Sequence, residues 1–164
     1  MRKFLFLAML VAAWLPSAAA LAGPSIFAGV SVPVGEFGNS TKLGFHGGAG
    51  YAFDVSPLAS LGLRAAYNRF TPEAAGLAGH LNMIEGLAVG RLTLPIGPSI
   101  IAGVGATNLK FTGAGVSRDG VTKFTTAAGV GYGVMLFEVI AMYHSVATDG
   151  GSTGYATVSA GLNF

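Results

Sequence analysis

Between Phe124 and Val134 the side chains alternate without a break. Phe124, Thr126, Ala128, Val130, Tyr132 and Val134 share one parity, and Thr125, Ala127, Gly129, Gly131 and Gly133 share the other. Successive residues of an extended strand point to opposite faces. This segment is therefore a strand with one apolar face and one face of very small side chains. A soluble sheet turns its apolar face to a core and covers the other face with charge. Here the second face has no charge, which suits a thin, crowded interior with the apolar face turned to lipid.

Composition supports that inversion. The chain is 52% hydrophobic and 10% charged, with a mean hydropathy of +0.62. These values argue against disorder and against a nucleic-acid binder, which needs a basic face. Glycine supplies 26 of the 164 residues, about twice the usual share of roughly 7%, and it disfavours helix. After residue 22 the longest charge-free run, Leu92 to Leu109, contains Pro95, Gly97, Pro98, Gly103 and Gly105. It cannot be a membrane helix, since an interior proline alone costs about 3 kcal/mol. Cysteine is absent, which excludes disulfides, thiol catalysis and cysteine metal sites.

The first residues have the pattern of a cleavable secretory signal. Met1-Arg2-Lys3 is positive, Phe4 to Leu15 is apolar, Pro16 and Ser17 interrupt, and Ala20-Leu21-Ala22 offers a small-x-small cleavage site. The apolar run is too short for the roughly 20 residues of a spanning helix. The expected division is residues 1–22 as signal peptide and residues 23–164 as one barrel domain. Loss of Arg2 and Lys3 leaves a formally neutral chain that retains every glycine.

The period-two reading predicts eight strands: Ser25–Val32, Leu43–Phe53, Leu58–Phe70, His80–Leu94, Ser99–Phe111, Val121–Val134, Phe137–Val146 and Gly154–Phe164. Long connections (Pro33–Lys42, Thr71–Gly79, Thr112–Gly120, Ala147–Thr153) alternate with short ones (Asp54–Pro57, Pro95–Pro98, Met135–Leu136). Transmembrane barrels show this alternation, with an even strand number, long outer loops and short periplasmic turns. The expected fold is an all-β, eight-stranded antiparallel up-and-down transmembrane β-barrel. Tyr51, Phe53, Tyr132, Phe137 and Phe164 fall at periplasmic strand ends, and Phe45, Tyr67, Phe124 and Tyr143 at outer ends, as aromatic girdles require. Phe70, Phe111 and Tyr155 are also terminal but lie on the other parity.

Two stretches resemble a known family, the small outer-membrane β-barrel domains of the OmpA and OmpX type in Gram-negative bacteria. Val30-Ser31-Val32-Pro33-Val34-Gly35-Glu36-Phe37, followed by Gly44-Phe45-His46-Gly47-Gly48, is similar to the family's first hairpin. Tyr143-His144-Ser145 through Gly150-Gly151 to Gly161-Leu162-Asn163-Phe164 is similar to its last. The resemblance implies residence in the cell outer membrane and implies no single activity.

Four charged residues fall on inward parity: Arg64, Glu85, Arg91 and Glu138. Charge facing lipid near the midplane costs about 2–4 kcal/mol for Arg or Lys, so these residues are expected in the lumen as a structural network of ion pairs. Ile84, Ala88 and Leu92 then face lipid. His144 and Ser145 invite comparison with outer-membrane barrels that deacylate lipid A, where the His and Ser are separated by one residue. Here they are adjacent and point to opposite faces, so no catalytic residue is assigned. His46, His80 and His144 lie toward outer strand ends without ligand-like spacing and read as polarity at the lipid–water boundary. No metal and no cofactor is expected.

Lys42, Arg69, Lys110, Arg118 and Lys123 could meet lipopolysaccharide phosphates, diluted by Glu36, Glu73, Asp119 and Asp149. Phe164, with Leu162, Ala160 and Val158 on its face, resembles the terminal signal that outer-membrane barrels present to their assembly machinery. The expected protein is a monomer of structural or surface-interaction role, without catalysis or a large pore. Its expected partners are outer-membrane lipid, lipopolysaccharide and, during biogenesis, the barrel assembly machinery, with no nucleic acid. Two alternatives have distinct signatures. A lipid A-modifying enzyme needs a polar trio converging at one rim, and an exported soluble ligand-binding barrel needs an apolar interior.

Overall fold

A computed structural model describes residues 22–73, 79–95, 97–113, 116–117 and 120–164. The expected leader, and Arg118 and Asp119 of the outer loops, lie outside these residues. Eight long strands form the wall: β1 (Gly23–Val34), β2 (Gly44–Ser56), β3 (Ala59–Phe70), β4 (Gly79–Thr93), β5 (Pro98–Gly113), β6 (Val121–Val134), β7 (Phe137–Thr148) and β8 (Gly151–Asn163). Each strand pairs antiparallel with its sequence neighbours. β1 then pairs with β8, from Ser25↔Asn163 to Val34↔Gly154. The sheet closes, so every wall strand has two partners and no edge is left to face lipid, where unsatisfied backbone groups cost several kcal/mol each.

The predicted faces are those of the structure. Leu63, Ile84, Val130, Val139 and Tyr143 point outward and are exposed, while Ala66, Leu87, Thr125, Ala127 and Ile140 are buried inside. An apolar outside around a partly polar inside is the reverse of a soluble ligand-binding barrel, and it makes a bilayer the medium that such a wall requires. Among the described residues no helix is long and apolar enough to cross a membrane.

Two connections differ from expectation. The loop predicted over Ala147–Thr153 is a tight turn, because β7 and β8 stay paired out to Thr148↔Gly151. Asp149 and Gly150 make the turn, and Gly151 takes φ 147°, which glycine adopts without steric penalty. The first outer loop contains a short helix, α1 (Glu36–Ser40). It is tied to the next loop by backbone bonds from Lys42 N to Thr71 O and from Glu73 N to Ser40 O, each 2.8 Å. Its Phe37 ring meets Phe70 edge-on, 5.2 Å between centroids.

The interior is layered along the barrel axis. Phe70, Met83, Val146 and Tyr155 form an apolar layer at the loop end, with Phe37, Leu81 and Leu109 packed on it. Leu87, Ile101, Ala127, Ile140 and Met142 form a second, deeper one. On β4 the inward order Met83, Glu85, Leu87 places a carboxylate between the two. On β7 the order Met142, His144, Val146 places an imidazole at the same level.

Candidate functional site

The inward residues between the apolar layers form the polar centre of the molecule. Glu85 Oε2 accepts from Tyr155 Oη at 2.8 Å and from Thr107 Oγ1 at 3.4 Å, and lies 3.0 Å from His144 Nδ1. With Glu85 ionised, its carboxylate can only accept, and His144 Nδ1 is then the donor of this contact. His144 Nε2 is 3.2 Å from Thr157 Oγ1, and Thr107 is bonded to Thr125 at 2.7 Å. The His144 and Tyr155 rings stack 4.6 Å apart at 5°. Five strands thus converge on one carboxylate that is 2% exposed.

Across the lumen lies a second group. Ser31 Oγ donates to Asn68 Oδ1 at 2.9 Å, so its other contact, His46 Nδ1 at 3.1 Å, must be the donor there. His46 Nε2 is buried and has no hydrogen-bond partner among the described residues. Nearer the end that carries the short turns, the Arg64 guanidinium lies 3.5 Å above the Phe27 ring and donates from Nη2 to Ser159 Oγ at 3.3 Å. Gly48 makes that stack possible, since a Cβ there would lie 2.5 Å from Phe27 Cζ. Arg91 Nη1 and Glu138 Oε1 form an ion pair at 2.5 Å.

All four inward charges predicted from sequence occupy the interior, but the structure does not join them. Arg91 pairs with Glu138, Glu85 takes His144, Tyr155 and Thr107, and Arg64 has an aromatic ring and a hydroxyl. The reason is axial. Glu85 stands six residues from Arg91 on β4, with the deeper apolar layer between them. His46 and His144 are a correction: both are buried in the lumen rather than at a lipid–water boundary, because their parity on β2 and β7 is inward. The sequence does not point to Tyr155 and Thr107 as partners of Glu85, nor to Thr157 and Thr125 as partners of His144 and Thr107. The one sequence signal for them was that Tyr155 and Phe70 break the aromatic girdle by parity.

Glu85, His144 and Thr157 stand in the order acid, imidazole, hydroxyl, the spatial order of a nucleophilic relay. All three are at most 4% exposed, with Tyr155 stacked on the imidazole and the Phe70 layer above. An acyl carbonyl has no approach to Thr157, so the arrangement holds charge and does not present a nucleophile. Ser145, the hydroxyl adjacent to His144 in sequence, points away as expected and makes no contact with the imidazole. Among the described residues no three metal-ligating side chains gather. At the loop end Lys123 is paired with Asp149, while Lys42 and Lys110 are exposed.

No family model and no curated protein matches the sequence. Solved structures do match the fold. Ail, the attachment invasion locus protein of Yersinia pestis, superposes with a TM-score of 0.63 at 22% identity, covering 88% of this chain and 100% of that one. By fold this chain is a small eight-stranded outer-membrane β-barrel. Neisserial surface protein A gives a TM-score of 0.61 at 13% identity, over 88% of this chain and 99% of its own. The N-terminal β-barrel domain of Pseudomonas aeruginosa OprF gives 0.57 at 14%, over 88% and 100%. At these identities the superpositions show the architecture of the barrel alone.

Proposed function

We propose that this barrel is a structural or surface-interaction component of the outer membrane, with a plugged interior, no catalytic centre and no large pore. One observation carries the reading: the inward side chains fill the lumen in alternating polar and apolar layers, and α1 adds Phe37 over the outermost. Eight strands leave an interior only wide enough for side chains. Arg64, Glu85, Arg91 and Glu138 then form a structural charge set in the lumen, and the bonds that Glu85, Arg91 and Glu138 make with their neighbours stiffen it. The buried state of Glu85, His144 and Thr157 disfavours the lipid A-modifying alternative.

The barrel works as a monomer in contact with outer-membrane lipid. Exposed Lys42 and Lys110 meet lipopolysaccharide phosphates at its rim, and it has no nucleic-acid partner. Phe164, Leu162, Ala160 and Val158 form the strand that the assembly machinery reads. Val158 and Phe164 are exposed on the outer face, and Phe164 N donates to Pro24 O at 2.9 Å, which places the terminal aromatic at the closing seam.

Planar-bilayer recording of the refolded barrel tests the plugged interior. No large, stable, open conductance is expected. A steady porin-sized channel would overturn the reading.

A further inference from the structure

The two ends of the lumen are built differently. The loop end is closed by aromatic and aliphatic side chains from six segments. The turn end, periplasmic in barrels of this class, holds a cavity of about 50 Å³ lined by Ser25, Ser60, Arg64, Arg91, Glu138 and Asn163 among others. A single water needs on the order of 10–15 Å³ of such space, so the cavity has room for about three to four waters or one anion of a few heavy atoms.

Its charge is unbalanced. Two guanidiniums face one carboxylate, and that carboxylate is bonded to Arg91. Arg64 has five N–H donors, cannot lose its charge, and among the described residues gives one hydrogen bond, a long one of 3.3 Å, to Ser159. No carboxylate lies within ion-pair distance of it among the described residues. One face of its plane is covered by Phe27, which fixes the fork, and the side chain lines the cavity. A guanidinium fork matches a carboxylate in two parallel hydrogen bonds. Ser25 and Ser60 add hydroxyls that can donate to the same oxygens.

We propose that the periplasmic end of the lumen is a binding site for a small carboxylate, held by the fork of Arg64 with Arg91 as the second positive charge. The carboxylate comes either from a free small acid or from the end of a periplasmic peptide chain. Arg64 is then a recognition residue that the filled interior does not need for closure, and the site is reached from one side of the membrane only. The inference is independent of the outer-surface role proposed above.

The test is nuclear magnetic resonance of the full barrel refolded in detergent micelles, following the Arg64 Nε–H with Arg69 on the outer half of β3 as control. Acetate, alanyl-alanine and chloride are titrated separately at matched ionic strength. The site predicts a saturable shift of Arg64 with acetate, with no matching change at Arg69 and much weaker binding of chloride. Alanyl-alanine binding as tightly as acetate assigns a chain end, and its exclusion assigns free small acids. Followed in the variants at the Arg91 Nε–H, which lines the same cavity, Arg64→Met should weaken acetate binding by about tenfold to hundredfold, the range for a lost charge-assisted contact. Arg64→Lys, which keeps the charge and loses the fork, serves where Arg64→Met does not refold, and it too should weaken binding. No saturable shift with either carboxylate, equal binding of chloride, or unchanged affinity in both variants would overturn the proposal.

Discussion

Glu85 is the side chain on which most of the interior depends. Its carboxylate takes a hydroxyl from Tyr155, a hydroxyl from Thr107 and a proton-bearing nitrogen from His144, and each of those groups is itself buried. Removing one member of a buried charged set leaves the others unsatisfied, at about 3–5 kcal/mol. Glu85→Ala is therefore expected to lower stability by that amount. Glu85→Gln keeps the volume and one acceptor, and should lose about 1–3 kcal/mol. Urea titration of the refolded barrel in detergent, read by heat-modifiable gel mobility, measures both. Wild-type stability in Glu85→Ala would show that the centre is not a coupled set.

At the scale of the strand, the wall's two faces should answer differently to charge, and the answer should depend on depth. Val130 lies near the middle of β6 on the outer face, and Val121 opens the same strand at its loop end on an exposed position. Val130→Arg is expected to cost about 2–4 kcal/mol in a bilayer, and Val121→Arg about 0–1 kcal/mol. Equal costs would contradict the placement of β6 across the membrane.

This face assignment was readable in the sequence, because parity is local: Phe124, Val130 and Tyr143 need only their own strand to be placed. Which inward residues touch was not readable. The meeting of Glu85 with Tyr155, 70 residues on, depends on strand stagger around the closed barrel, which period two does not encode. The same limit applied to α1, where the sequence showed only a long connection. The helix forms where the loop can fold over the mouth and bury Phe37 against Phe70. At Ala147–Thr153 small and polar residues resembled a loop, yet the ladder ran on through them, since pairing with a neighbouring strand overrides weak local preference.

Taken as a whole molecule, closure couples the last strand to the first. The β1–β8 ladder runs from Val34↔Gly154 to Ser25↔Asn163, and Phe164 N adds one further bond, to Pro24 O. Deletion of Phe164 separates folding from delivery. Purified protein should still refold in detergent, with a modest loss of stability, because the rest of the β1–β8 ladder remains. In cells the deletion should accumulate as protease-sensitive periplasmic protein. Normal membrane insertion at ordinary expression would remove the assembly role of this strand.

One continuous wall separates lipid from a layered interior. The absence of cysteine allows single spin-labelled cysteines to be placed without background along β7 from Val139 to His144, in lipid vesicles. Accessibility to oxygen, which partitions into the bilayer, should be high at Val139, Ala141 and Tyr143. It should be low, with strongly immobilised labels, at Ile140, Met142 and His144. A strict period of two with that phase is the expected result. A uniform profile, a helical period, or the opposite phase would contradict the account.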